Sequence, residues 1–118
     1  MIHCPSCAGE LEVTRTHCGR CQVTYEGAFH PPRLARLDAE QQRLAEEIVL
    51  AAGNLKEVAS RLGISYPTLR KRVDALVAAL AGLRAVDETS TRTLLDAVEA
   101  GRTTPEYAAR RIRELNGG

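Results

Sequence analysis

Tryptophan is absent, phenylalanine occurs once (Phe29), and with three tyrosines the aromatic share is only 3%. Recognition of single-stranded nucleic acid by base stacking needs aromatic platforms and is therefore disfavoured. Any core must be aliphatic, built from the Leu, Val, Ile and Ala that dominate a 44% hydrophobic share. Charge of one sign is missing too: 16 Lys/Arg stand against 15 Asp/Glu, a net charge of +1. No global field draws the chain to nucleic acid or to a membrane, so a basic surface has to be local. No run approaches the roughly 18 consecutive apolar residues of a membrane span. Met1-Ile2-His3-Cys4 has neither a basic start nor an apolar stretch, so no secretory signal is expected and a cytoplasmic location is. No Ser-His-Asp set, phosphate loop or carboxylate pair stands out, and an enzyme is not expected. No internal repeat or low-complexity tract is read.

Four cysteines are present, and they come in pairs: Cys4-Pro5-Ser6-Cys7, ten residues, then Cys18-Gly19-Arg20-Cys21. In a reducing compartment paired cysteines read as metal ligands before disulfides. Two intervening residues let one tight turn aim both sulfurs at a point, and Pro5 and Gly19 suit such turns. A short hairpin then brings two turns together around one tetrahedral ion, with thiolate bonds of about 2.3 Å. Cys4, Cys7, Cys18 and Cys21 are thus the candidate ligands of one structural Zn2+, with no open position for a catalytic water. Iron would suit the same sulfurs. Four inert cysteines would not explain the pairing, and a thioredoxin-like redox pair would need a βαβ context. His3 and His17 each directly precede a ligand cysteine; with four Cys present they read as bystanders. His30, beside the prolines, is expected to be solvated.

Alternating runs Leu11-Glu12-Val13-Thr14 and Val23-Thr24-Tyr25 predict short strands. Pro31-Pro32 forms a stiff connector. Asp38 with Gln41 makes a capping box for a first helix carrying Leu44, Ile48 and Ala51 or Ala52. Gly53-Asn54 ends that helix and starts a second, with Leu55, Val58, Ala59 and Leu62 on one face. Gly63-Ile64-Ser65 is a tight turn, and a third helix begins at Tyr66-Pro67 and runs past Leu69, Val73, Leu76 and Leu80. Two helices joined by about three residues around Gly63, with small Ala59 at the crossing, have the grammar of a helix-turn-helix. Its second helix would present Ser65, Tyr66, Thr68, Arg70, Lys71 and Arg72 to double-stranded DNA, with Arg61 reaching the phosphates. Against this, residues 34–82 hold seven basic and six acidic groups, so an ordinary solvated face or a protein-docking module stays open.

Leu69, Val73, Leu76, Leu80 and Leu83 follow heptad spacing over two heptads. Leu76, Val77, Leu80 and Leu83 are candidate dimerisation residues, for a homodimer or higher oligomer; intramolecular packing is the equal alternative. Farther on, Leu94, Leu95 and Val98 predict a short helix ending at Gly101. Thr103 with Glu106 reads as a capping box for a last helix carrying Tyr107, Ala108, Ile112 and Leu115. The Gly117-Gly118 end is expected to fray.

The expected fold is mainly α with a small β zinc ribbon. Rubredoxin-like or zinc-ribbon-like knuckles occupy residues 1–30, a linker 31–37, a central helix-turn-helix bundle 38–83, and a C-terminal helical hairpin for interaction or oligomerisation 84–118. On Cys-Pro-Ser-Cys, Cys-Gly-Arg-Cys, the connector Pro32-Arg33-Leu34-Ala35-Arg36-Leu37 and the run from Leu62 to Arg70, the chain resembles a bacterial and archaeal family. Its members join an N-terminal zinc ribbon to a sigma-factor-like helix-turn-helix. The resemblance covers roughly residues 1–83; the C-terminal segment is similar to helical hairpins appended to many oligomeric bacterial proteins. The family implies a role in transcription. The Gly-Ile-Ser-Tyr-Pro-Thr run is similar to the last helix-turn-helix of extracytoplasmic sigma factors, which implies DNA or RNA polymerase as partner. The expected function is that of a DNA-binding transcriptional regulator; the alternative is a protein-interaction adaptor that binds RNA polymerase, a sigma factor or another regulator.

Overall fold

The computed structural model describes residues 3–116, so the expected fraying of Gly117-Gly118 lies outside the described residues. Two strands, β1 (Val13–His17) and β2 (Thr24–Phe29), precede a 3-10 turn, η1 (Arg33–Arg36). Helices α1 (Ala39–Leu50), α2 (Leu55–Leu62), α3 (Tyr66–Glu99) and α4 (Pro105–Leu115) follow.

The strands pair antiparallel, Arg15 opposite Glu26, Thr16 opposite Tyr25 and His17 opposite Thr24. The register slips by one between Val13 and Arg15, where Gly27 adopts φ 158°. That is a β-bulge, with two residues of β2 facing one of β1. No side chain of the described ribbon residues is fully buried; Cys4, Cys18, Thr24 and Phe29 are only half-buried. The ribbon has no apolar core of its own among these residues.

Each helix starts on the cap its sequence supplies. Asp38 accepts from the Gln41 backbone N–H at 2.8 Å while its own N–H donates to the Gln41 side chain, closing the box. Asn54 caps α2 through Glu57 N–H, and Ser65 caps α3 through Thr68 N–H. The ends of α1, α2 and α3 share one motif. Ile64 N–H bonds to Ala59 C=O and Gly63 N–H to Ser60 C=O, with Gly63 left-handed at φ 67°. This Schellman pattern recurs after α1, with Ala52 at φ 52° in the left-handed position, and after α3, with Gly101 at φ 73°.

One aliphatic core joins the first three helices: Leu37, Leu44, Ala51, Val58, Ala59, Leu69 and Leu76 are buried. Ile48, Ile64, Val73, Leu80 and Leu83 pack around them. Between the two candidates for α1, Ala51 is the core residue and Ala52 is exposed.

Four expectations are corrected. The third helix does not stop near Leu83, and no separate short helix starts near Leu94; α3 is continuous for 34 residues. Nothing after Gly82 breaks a helix until Gly101. The Thr89 and Thr93 hydroxyls fold back onto the Ala85 and Thr89 carbonyls, both at 3.0 Å. The C-terminal hairpin therefore uses the second half of α3 as its first arm, with Ala108 of α4 buried against it. Leu95 and Tyr107 are exposed rather than packed. The α4 cap is Thr104, whose hydroxyl accepts from Tyr107 N–H at 3.2 Å, not Thr103. Pro105 fits the first helical position, which puts the cap immediately before it. Finally, residues 31–37 are not a bare linker: η1 packs on α3, and Leu37 is 3% exposed in the core.

Candidate metal centre and helix-turn-helix surface

The two cysteine turns are built alike. Cys4 N–H bonds to Gly9 C=O at 2.7 Å and Ala8 N–H to Cys4 C=O at 2.8 Å. In the second turn Cys18 N–H bonds to Val23 C=O and Gln22 N–H to Cys18 C=O, both at 2.9 Å. The residue after each second cysteine is left-handed, Ala8 at φ 60° and Gln22 at φ 62°. The residue before each first cysteine closes a bridge seven positions on, His3 with Glu10 and His17 with Thr24. Every element of the first turn recurs fourteen positions later, so the expectation of no internal repeat is corrected. The signal was His-Cys-x-x-Cys at both places.

The backbone of each turn is arranged around sulfur. N–H groups of Ser6 and Cys7 point at the Cys4 sulfur, and the Cys7 thiol adds a third hydrogen bond. Together they hold the Cys4 thiol below its ordinary value of 9.0 against a small opposing effect of burial. At Cys18 the same work is done first by Cys21 N–H, then by Arg20 N–H and the Cys21 thiol. Dipoles that favour the thiolate are what a zinc ligand requires. The donor set therefore fits zinc. The geometry pairs Cys4 with Cys7 and Cys18 with Cys21; among the described residues no group of three or more metal-ligating side chains is gathered at one point. His17 is engaged elsewhere: its ring nitrogens lie 2.9 Å from the Thr24 hydroxyl and 3.1 Å from Gln22 Oε1. His30 is not simply solvated, as expected for it. Its Nε2 hydrogen-bonds with Arg111 Nη1 and lies 3.5 Å from Glu114 Oε2, because β2 delivers it against α4.

On the helix-turn-helix, the Schellman turn at Gly63 and the Ser65 cap orient the first two turns of α3. Leu69 is wholly buried and Val73 half-buried, while Ser65, Tyr66, Thr68, Arg70, Lys71 and Arg72 are exposed on the surface of α3. Their electrostatic states differ. Arg61 Nε lies 3.4 Å from Glu47 Oε2 of α1, and Arg70 Nε lies 3.5 Å from Asp74 Oδ1 one turn on. Lys71 and Arg72 have no carboxylate partner among the described residues. Arg72 lines a groove with Arg43 of α1 and the half-exposed Leu62. Of the four seam residues, Leu76, Leu80 and Leu83 pack into the chain's own core, and Val77 is 60% exposed.

Sequence reasoning missed a cluster on the far half of α3. Asp87 is buried and bound by Arg33 and Arg36 of η1. Its signal was position: Asp87 is the next step of the series Leu76, Leu80, Leu83, where an apolar residue is expected.

Two family models match in succession: a DUF2089 zinc ribbon over residues 4–35 and a domain of unknown function (DUF2089)-HTH over residues 37–83. The junction falls at η1 and Leu37. No curated protein and no solved structure matches the chain significantly. Among the described residues, no helix is long and apolar enough to cross a membrane.

Proposed function

We propose that this chain, which belongs to the DUF2089 family, is a cytoplasmic, non-enzymatic DNA-binding regulator of transcription. The observation that carries the reading is the capped, two-turn surface of α3, with its polar and basic side chains exposed and its apolar ones locked in the core. The N-terminal end of α3 would enter the major groove. Ser65, Tyr66 and Thr68 would meet base edges, and Lys71 and Arg72 the flanking phosphates. Arg61 and Arg70 would have to exchange Glu47 and Asp74 for phosphate, so their net contribution is smaller. Cys4, Cys7, Cys18 and Cys21 would hold one zinc ion. Bound there, the ion supplies a structural cross-link between the knuckles and no open coordination site.

Fluorescence anisotropy on labelled duplex DNA at low salt tests the reading. Lys71→Glu with Arg72→Glu should weaken binding on all sequences and reduce the salt slope by about 2, one for each phosphate no longer neutralised. Absence of any binding by the zinc-loaded protein at low salt rejects direct DNA contact.

A second reading, an adaptor that docks on RNA polymerase or a sigma factor, draws support from the charge balance and the two engaged arginines. Under it, the same double reversal leaves partner capture intact while the ribbon carries the contact.

A further inference from the structure

We infer that Asp87 is a latch that fixes the pose of the zinc ribbon on the α3–α4 hairpin. The carboxylate is 2% exposed, and both of its oxygens are taken. Arg36 Nη1 donates to Oδ1 at 2.8 Å and to Oδ2 at 3.0 Å, and Arg33 Nε donates to Oδ2 at 2.9 Å. The partners are 51 and 54 residues apart in sequence. Nothing about helix formation asks for a charge here. An apolar side chain would continue the core face, and a buried ion cluster is seldom more stable than its hydrophobic replacement. What the charge adds is register: two guanidinium groups converging on one carboxylate hold η1 at one place along α3.

The rest of the ribbon's seat is loosely filled. Leu11, Val13 and Phe29 face Val86 and Leu115 across a cavity of about 270 Å³. Beyond it, the only polar ties among the described residues are those of His30 to Arg111 and Glu114. A seat with this much open volume lacks the close packing that would hold a module by itself. The ribbon's orientation therefore rests on the ion cluster. Asp87 lies 22 residues beyond Ser65 on α3, about 33 Å along the helix axis. The latch thus sets a fixed separation between the ribbon and the start of α3, whichever partner each end binds.

The test uses the full-length, zinc-loaded protein and compares Asp87→Asn with the triple variant Arg33→Gln/Arg36→Gln/Asp87→Asn, in which no buried charge is left unpaired. Backbone 15N relaxation reads the tumbling of ribbon and helical amides separately, and thermal melting reads the helical core. In the unaltered protein both sets of amides should share one tumbling time. In both variants that shared value should be lost, with the ribbon faster, while bound zinc and the core's cooperative melt persist. Amide exchange at Ala35 and Leu37, whose N–H groups bond to the nearby Pro32 and Leu34 carbonyls, should rise about tenfold. A ribbon that already tumbles independently in the unaltered protein overturns the inference. So does a triple variant that still tumbles as one body. Loss of the core's melt in the triple variant would also overturn it, since the cluster would then be part of the helical fold.

Discussion

Left-handed backbone positions set the local stability of the helical domain. Gly63 and Ala52 occupy the same place in the same terminating motif, at φ 67° and φ 52°. A Cβ costs about 1–2 kcal/mol in this conformation. Nothing lies within 4 Å of a Cβ built on Gly63, so the conformational term acts there alone. Gly63→Ala should therefore lower stability by about 1 kcal/mol, and Ala52→Gly should raise it by a similar amount. Urea unfolding of the zinc-loaded protein measures both. If the two midpoints moved in the same direction, backbone conformation would not be the governing term. Gly63 was legible in the sequence because a glycine marks the end of α2. Ala52 was not, because Gly53 one position later carries the same signal more strongly.

Elements built from short signals were the most legible. The caps at Asp38 and Asn54 and the Cys-x-x-Cys turns are local chemistry, and each lies where its residues direct. Less legible was whatever depends on distant partners. The continuity of α3 through residues 84–93 follows from the absence of a breaker, and its polar composition conceals that. The grip on Asp87 needs Arg33 and Arg36, which no local rule joins to it. Likewise Leu80 and Leu83 read equally as a seam for another subunit or as intramolecular packing, because Leu37, a member of the core they pack against, resembled linker. The knuckles carry a prediction of their own. In each, two backbone N–H groups and a neighbouring thiol hydrogen-bond to the first cysteine and lower its proton affinity. In metal-free protein that keeps its turns, Cys4 and Cys18 should be alkylated with pH midpoints below 9.0. Because folding favours the thiolate, this contribution to the turns is complete above 9.0 and fades as pH falls through the lowered folded value. Iodoacetamide rates mapped by peptide mass spectrometry give the midpoints. Midpoints at or above 9.0 would mean that the metal-free turns do not hold their N–H groups against sulfur.

At the scale of the whole molecule, two kinds of stability meet at Leu37. On one side lies an aliphatic core shared by α1, α2 and α3; on the other, a two-stranded ribbon without a single fully buried side chain among its described residues. An isolated hairpin is marginal in water. Apparent zinc-binding energies of about 10–16 kcal/mol in small zinc modules are at the same time their folding energies. Chelation should therefore act on one side only. Protection of amides in β1 and β2 should vanish, and the contact of His30 with α4 should go with it. The helical ellipticity and the urea midpoint of the α1–α3 core should stay close to those of the loaded protein, because no residue of that core belongs to the ribbon. Restoring zinc should return the strand protection. Hydrogen exchange with and without chelator, followed beside circular dichroism, separates the two sides. If chelation instead unfolded the helices cooperatively with the strands, the helical core would not be self-sufficient, and the ribbon would count as part of it rather than as a metal-ordered module beside it.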